Sequence, residues 1–205
     1  ADYVLIDIRF FDTLDKKNFL SGYAEMIKHA LIYSKKELQE IYTFDINNID
    51  TKVVKTLLAQ SIAIKEDIVK KDPTEKNIRK SLNFGHTIGH AFESFSYEIN
   101  KPILHGYAVA YGIICELYLS YKKLAFPQQE LKKATDFIIA NYGYFPLSCD
   151  HYERLYELMT HDKKNENKGI NFTLLKDIAE IQINQTANQQ EIFESFDFYR
   201  DCVNL

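Results

Sequence analysis

The sequence is poor in glycine and cysteine, and each shortage excludes a class of protein. Its 205 residues include only seven glycines, and none of these forms the G-x-G-x-x-G or G-x-x-x-x-G-K-[ST] pattern of a nucleotide-binding loop. The three cysteines, Cys115, Cys149 and Cys202, are odd in number and far apart. They therefore fit neither a zinc framework nor a disulfide framework. We expect them to be reduced thiols in a cytoplasmic protein.

Membrane and nucleic-acid signals are also missing. No apolar run approaches the length of a membrane span, and no signal peptide pattern opens the chain. The net charge of −4 gives no reason to expect nucleic acid or an anionic membrane as a partner. The chain begins at Ala1 rather than at a methionine and runs directly into apolar residues, which indicates a piece of a longer protein or a processed chain. The hydrophobic fraction of 46% is that of a soluble globular protein.

Helical periodicity dominates what is present and predicts a mostly α-helical domain with one small β-hairpin. Helices are predicted over residues 16–34, 36–44, 51–71, the stretch from 79 to about 96, 105–124, 127–141, 150–161 and 188–202. Alternating segments at 170–176 and 179–185, with a turn near Asp177, predict the hairpin. Residues 2–11 are rich in β-branched and aromatic side chains, which predicts a short strand or an extended segment.

The first chemical signal lies in the stretch RKSLNFGHTIGH, residues 79–90. His86 and His90 are four residues apart, so a helix places both imidazoles on one face, one turn apart. Gly85 and Gly89 keep the backbone slim beside them, which allows another element to approach closely.

A third histidine and an acid complete a candidate metal site. Glu25, His86 and His105 offer one carboxylate and two imidazoles, a set that holds catalytic zinc and leaves a position for substrate. They come from three separate segments, and isolated histidines more often pack in a core or cap a helix. From the residues alone, a metal site is therefore the less frequent outcome. Glu25 lies in a largely apolar helix three residues before Lys28. The alternative for that pair is a solvated ion pair worth a few tenths of a kcal/mol.

Cations accompany the histidines and suit a phosphorylated, hydroxylated substrate. The candidates for anion contact are Lys28, Lys65, Arg79, Lys163 and Lys164, together with the amide of Asn83. A lysine in the position of Lys65 more often lays its aliphatic stem on the protein surface and keeps its charge in water. Lys163 and Lys164 could equally belong to a solvated charged loop.

Five segments in order resemble the C-terminal domain of the 3-dehydroquinate synthases: SGYAEMIKHALI, IKEDIVKKD, RKSLNFGHTIGHAFE, LHGYAVAYG and MTHDKKN. The resemblance runs from about residue 7 to 175. The wider group includes sugar-phosphate cyclases that make cyclitols such as 2-deoxy-scyllo-inosose. The resemblance implies a single helical metal- and substrate-binding domain over residues 1–205, with residues 1–12 leading in from a preceding domain. That preceding NAD-binding α/β domain is absent from this chain, so no NAD-binding residues are assigned.

The resemblance also implies roles for individual residues. Glu25, His86 and His105 would be the ligands of zinc or cobalt. Substrate contacts would come from Lys28, Lys65, Arg79, Asn83, His90 and one or both of Lys163 and Lys164. Among these, His90, Lys65 and Lys28 would be catalytic, with His90 near the departing phosphate. The chain departs from the family's usual sequence at Tyr107 and at His29-Ala30, and none of these residues is a proposed ligand.

The implied activity is that of an NAD- and metal-dependent carbon–oxygen lyase of the shikimate pathway, which leads to chorismate and the aromatic amino acids. It converts 3-deoxy-arabino-heptulosonate 7-phosphate to 3-dehydroquinate and phosphate by transient oxidation, phosphate elimination, reduction and aldol closure. The expected partners are the sugar-phosphate substrate, the missing domain and a second copy in a homodimer. We expect the isolated domain to be inactive. The alternatives are another sugar-phosphate cyclase, similar to 2-deoxy-scyllo-inosose synthase, or a non-catalytic helical module that binds an anion.

Overall fold

A computed structural model describes residues 4–160 and 170–204 and confirms a mostly helical fold with one hairpin. The described residues contain eight α-helices: α1 Lys16–Tyr33, α2 Lys35–Thr43, α3 Thr51–Lys71, α4 His86–Glu98, α5 His105–Leu124, α6 Gln128–Tyr142, α7 Tyr152–Thr160 and α8 Gln189–Cys202. Strands β1 Ile170–Asp177 and β2 Glu180–Ala187 form an antiparallel pair. Short 3-10 helices occupy Ile8–Thr13, Ile78–Asn83 and Cys149–His151.

Helix α5 is the centre of the domain. Its sequence is apolar nearly all round, and α1, α4, α6, α8 and β1 pack against it. Buried residues occur on every side of the helix from Gly106 to Ser120. Because His105 is the first residue of this helix, the packing of α5 also fixes the position of that imidazole.

Glycines bring α4 and α5 into close contact, as the sequence predicts. A Cβ on Gly89 would lie 3.0 Å from the carbonyl oxygen of Ala108. A Cβ on Gly112 would overlap the carbonyl oxygen of Gly85, and the left-handed φ of 77° at Gly85 favours glycine as well. The close approach brings the histidine-bearing starts of the two helices together.

The hairpin supports the segment that precedes α4. The hydroxyl of Thr173 on β1 donates to the carbonyl oxygen of Lys80 at 2.8 Å, and Lys80 itself reaches Asn184 on β2. The turn residue Ala179 donates its N–H to the carbonyl oxygen of Leu31 near the end of α1. The hairpin therefore links the 3-10 helix Ile78–Asn83 to the first helix.

Two predictions about local structure are wrong. No strand forms within residues 4–11; residues 4–7 lack regular structure, and the Asp7 side chain caps the 3-10 helix Ile8–Thr13. A strand needs a neighbour, and the sheet in the described residues consists of β1 and β2. The predicted helix from 79 to about 96 is also interrupted, because Gly85 separates the 3-10 helix Ile78–Asn83 from α4.

The three cysteines are free thiols, as the sequence predicts. Cys115, Cys149 and Cys202 form no disulfide. Among the described residues, none of the helices is both long enough and apolar enough to cross a membrane.

Candidate metal and substrate site

Three helices bring the predicted metal ligands together. Glu25 lies on α1, while His86 and His105 are the first residues of α4 and α5. Atom Oε1 of Glu25 is 3.3 Å from Nε2 of His86 and 3.7 Å from Nε2 of His105. Ligands about 2.0–2.1 Å from a tetrahedral zinc ion are separated by about 3.3–3.4 Å. The donor types and their spacing therefore fit a zinc or cobalt ion.

The other nitrogen of each imidazole has a partner of its own. Nδ1 of His86 is 3.0 Å from the carbonyl oxygen of Phe84, and Nδ1 of His105 is 2.9 Å from Oε2 of Glu93. With an ion in the site, donation from Nδ1–H to these oxygens would leave both Nε2 lone pairs free to bind it. Histidines that bind metals usually have this arrangement, since the outer acceptor fixes the tautomer and the ring orientation.

His90 stands one turn along α4, beside the two histidines that are predicted to bind the metal. Its ring centroid is 5.4 Å from that of His86 and 5.8 Å from that of His105. The three imidazoles can place one nitrogen each within 4.8 Å of one another. His90 is therefore near enough to act on a substrate at the metal position, and near enough to bind the ion itself.

Glu25 is partly exposed, and its neighbour Lys28 is the buried member of the pair. The Glu25 side chain is 32% exposed, whereas that of Lys28 is 4% exposed, with 2.6 Å between Nζ and Oε2. Lys28 also donates to the carbonyl oxygen of Leu82 at 2.8 Å. The pair is therefore not a solvated surface ion pair; it places a fixed positive charge at the site.

Charge and burial together set the protonation of the metal-free site. Burial raises the pKa of Glu25, but hydrogen bonds from His105 and His86 and the charge of Lys28 bring it well below its usual range. The hydrogen bond to Glu25 raises the pKa of His105 to about 9. Burial lowers the pKa of His86 and lowers that of His29 to about 4. At neutral pH the metal-free site thus holds an ionised Glu25 beside a protonated His105.

A cavity of about 470 Å³ opens beside the ligands. It is lined by Glu25, Lys28, His29, Lys65, Glu75, Arg79, Leu82, Asn83, His86 and His105. Four predicted substrate residues, Lys28, Lys65, Arg79 and Asn83, therefore share one cavity with the predicted metal ligands. His90 does not line it but adjoins two residues that do. Lys163 and Lys164 lie outside the described residues.

A buried carboxylate shapes the loop that presents Arg79. Asp72 accepts hydrogen bonds from the backbone N–H groups of Lys76 at 3.2 Å, Asn77 at 2.7 Å and Arg79 at 3.1 Å. The guanidinium group of Arg79 then donates to the carbonyl oxygen of Pro73 at 2.8 Å. Both ends of Arg79 are thus held, and its charge stays at the cavity wall.

Glu75 is a cavity residue that the sequence analysis missed. Its carboxylate accepts from Nδ2 of Asn83 at 2.9 Å and lies 3.9 Å from Nε of Arg79. Its position four residues before Arg79, in a polar loop, gives no periodic signal. It places a second carboxylate between two predicted substrate residues.

Three further residues were missed because their roles depend on tertiary contacts. Glu93 supports His105, as described above. Glu116 is fully buried on α5 and accepts from the N–H groups of Gly85 and Ile88. His29 lines the cavity from α1. Glu93 gives one local signal, because it lies seven residues after His86 and thus on the same helical face.

Solved structures of sugar-phosphate cyclases share this fold. One is 2-deoxy-scyllo-inosose synthase in complex with carbaglucose-6-phosphate, NAD⁺ and Co²⁺, at 22% identity with a TM-score of 0.76, matched over 95% of this chain and 54% of its own. Another is 2-epi-5-epi-valiolone synthase from Streptomyces hygroscopicus with NAD⁺ and Zn²⁺ bound, at 18% identity with a TM-score of 0.76, matched over 96% of this chain and 55% of its own. These matches show that the chain has the same fold as about half of each of these two proteins.

Sequence comparison then gives the family. The family described as 3-dehydroquinate synthase C-terminal matches residues 22–165, and the chain belongs to it. The 3-dehydroquinate synthase of Parabacteroides distasonis is 52% identical over 98% of this chain and 57% of its own length. That of Dictyoglomus thermophilum is 32% identical over 95% of this chain and 54% of its own. The chain therefore spans about half the length of the curated relatives it matches.

Proposed function

We propose that the chain is the metal- and substrate-binding half of a 3-dehydroquinate synthase. With its missing domain, it would convert 3-deoxy-arabino-heptulosonate 7-phosphate to 3-dehydroquinate and phosphate. The observation that carries the proposal is the convergence of Glu25, His86 and His105 beside a cavity that also holds four predicted substrate residues. The 52% identity to a relative of that name supports this substrate within the wider cyclase group.

Glu25, His86 and His105 would hold the ion, which is zinc or cobalt. A bound ion would polarise the substrate hydroxyl whose carbon is oxidised, and NAD would supply the hydride chemistry. The outer contacts to Glu93 and to the carbonyl oxygen of Phe84 keep both imidazoles oriented for this task.

The cavity cations would bind the anionic ends of the substrate. Lys28, Lys65 and Arg79 present positive charge on three different elements, and Asn83 adds an amide that can donate to a hydroxyl. Contacts at several points fix one conformer of a flexible sugar phosphate, which lowers the entropic barrier to the later steps. His90, next to the ligand histidines, is placed to exchange a proton near the departing phosphate.

The isolated chain would not turn over substrate. The curated relatives are nearly twice as long as the part matched here, and we assign the NAD-binding role to the unmatched part. A cytoplasmic location, the shikimate pathway and a homodimer belong to the same proposal.

A cobalt titration tests the metal site in this chain. Visible absorption of Co²⁺ should report a low-coordinate complex, and Glu25→Ala and His105→Ala should each abolish it. His90→Ala distinguishes two ligand sets, because it should leave the spectrum in place if Glu25 is the third ligand. An unchanged spectrum in both Glu25→Ala and His105→Ala would refute the site.

Phosphate release tests the reaction. The chain alone should release none from 3-deoxy-arabino-heptulosonate 7-phosphate with NAD, whereas a fusion to the unmatched part of the Parabacteroides distasonis relative should release it. Glucose 6-phosphate, the sugar that carbaglucose-6-phosphate imitates, tests the cyclitol alternative in parallel. If the fusion binds the sugar phosphate but releases no phosphate from either substrate, the non-catalytic anion-binding module is the better description.

A further inference from the structure

His29 is a buried histidine with one satisfied and one unsatisfied nitrogen. Its side chain is 6% exposed, and Nδ1 lies 2.7 Å from the hydroxyl oxygen of Ser61 on α3. Among the described residues, Nε2 has no hydrogen-bond partner. A buried polar atom without a partner is unfavourable, so its position calls for an explanation.

Nε2 of His29 faces the carboxylate of Glu25. Oε1 of Glu25 faces the imidazoles of His86 and His105, whereas Oε2 faces the other way, toward Lys28. Nε2 of His29 is 4.0 Å from Oε2. A shift of about 1 Å would bring the two atoms to hydrogen-bond distance. One carboxylate oxygen can accept from both Lys28 and His29, because it has two lone pairs.

The tautomer of His29 follows from its two neighbours. If Nδ1 carried the proton, Nε2 would direct a lone pair at a carboxylate, which is repulsive. If the Ser61 hydroxyl donates to Nδ1, the proton is on Nε2 and points toward Glu25. Because Nε2 is fully buried, His29 would act through Glu25 and not on the substrate itself.

We propose that His29, oriented by Ser61, is a positioning residue that donates from Nε2 to Oε2 of Glu25 and holds this carboxylate in place as a metal ligand. The inference rests on the proposed metal site. The proposal assigns a function to His29, where the chain departs from the family's usual sequence. Carboxylates that bind metals are themselves commonly hydrogen-bonded, and loss of such an outer partner typically weakens metal binding about 10–100-fold.

The test is a Co²⁺ titration of the chain, of Glu25→Ala and of four further variants, followed by visible absorption and by the unfolding free energy without metal. His29→Phe keeps a buried ring but removes the donor, and should weaken binding about 10–100-fold. His29→Gln places an amide N–H near the position of Nε2 and should restore most of the affinity. Ser61→Ala should cause a smaller loss, and it carries the test if His29→Phe does not fold. His151→Phe, remote from the site, is the matched control and should bind as the parent does.

The possible failures are distinguishable. If His29→Phe and Ser61→Ala bind Co²⁺ with the parent's affinity and spectrum while Glu25→Ala does not bind, His29 has no positioning role and the metal site stands. If His29→Gln binds as weakly as His29→Phe, the donor role is refuted. If the parent does not bind Co²⁺, or Glu25→Ala binds as the parent does, the metal site and the role of His29 fall together.

Discussion

The carboxylate of Glu116 on α5 accepts a hydrogen bond from the backbone N–H of Gly85, at a donor–acceptor distance of 2.7 Å. Its other oxygen accepts from the N–H of Ile88 at 3.1 Å. The first N–H groups of a helix lack partners within the helix, so a side chain from α5 supplies acceptors at the start of α4. Since α4 starts with His86, this contact fixes the end of α4 that carries that histidine.

Glu116→Gln should therefore destabilise the chain by about 2 kcal/mol, because an amide nitrogen cannot accept and one buried N–H loses its partner. Urea unfolding monitored by circular dichroism would measure the change. Glu157→Gln, at an exposed ion pair with Arg154, is the control and should change stability by less than about 1 kcal/mol. Equal stability of the two variants would show that the contact contributes little.

Gly112→Ala should destabilise the chain by about 1–3 kcal/mol, because its methyl group would overlap the backbone at Gly85 and Gly89 and push α4 away from α5. Gly22→Ala is the matched substitution in α1, where a Cβ has open space around it. There the change should stabilise the chain by about 0.5–1 kcal/mol through helix propensity. Thermal unfolding of both variants measures the difference, and a stabilising effect of Gly112→Ala would contradict the packing described.

Glu93→Gln should weaken Co²⁺ binding about 10–100-fold, since the carboxylate that orients His105 would become a neutral amide. Isothermal titration calorimetry of the metal measures the loss. The control is Glu98→Gln on the same helix, where the carboxylate pairs with Arg154 and should not affect the metal. Unchanged affinity in Glu93→Gln would remove Glu93 from the site.

Asp72 makes a pH-dependent contribution to stability. Burial raises its pKa, but the hydrogen bonds from three backbone N–H groups together lower the pKa by more. The pKa of Asp72 in the folded chain therefore lies below the usual 3.8. The stabilisation is then present above about pH 4 and is lost as the pH falls through the lowered pKa. The stability difference between the parent and Asp72→Asn should be constant from about pH 7 to pH 5 and should shrink at lower pH.

Urea midpoints measured across that pH range test the Asp72 prediction. The exposed residue Asp12 provides the control, because Asp12→Asn removes a carboxylate that has no comparable set of backbone donors. A difference between the parent and Asp72→Asn that grows toward acid pH would reverse the assigned sign.

Local signals were sufficient to predict most of the helices and the hairpin. Helix α3 begins and ends as predicted, because Asp50 caps its first turn and the Asp72-Pro73 pair ends it. The interruption at Gly85 was missed, since the acceptor that makes a new helix start favourable there is Glu116, far along the chain. Of the two structures predicted for the first residues, a strand or an extended segment, the strand does not form, because β-branched and aromatic composition does not supply a pairing partner.

The candidate site, like the fold, could be predicted only where the sequence carries a local signal. Glu25, His86 and His105 were selected by residue type and by a family resemblance, and the structure places them in contact distance. Glu75 and His29 carried no such signal, since their relevance comes from the neighbours that folding gives them. Lys163 and Lys164 stay predictions.

The starts of α4 and α5 and the middle of α1 meet at the candidate ligands, although these segments are widely separated in the sequence. An ion bound there would act as a cross-link between three helices and would restrict the unfolded chain much as a covalent bridge does. A Co²⁺ spectrum would then appear only after α1, α4 and α5 have docked. The absorption band that reports the ligands would therefore also report, in a refolding experiment, the time at which these three helices dock.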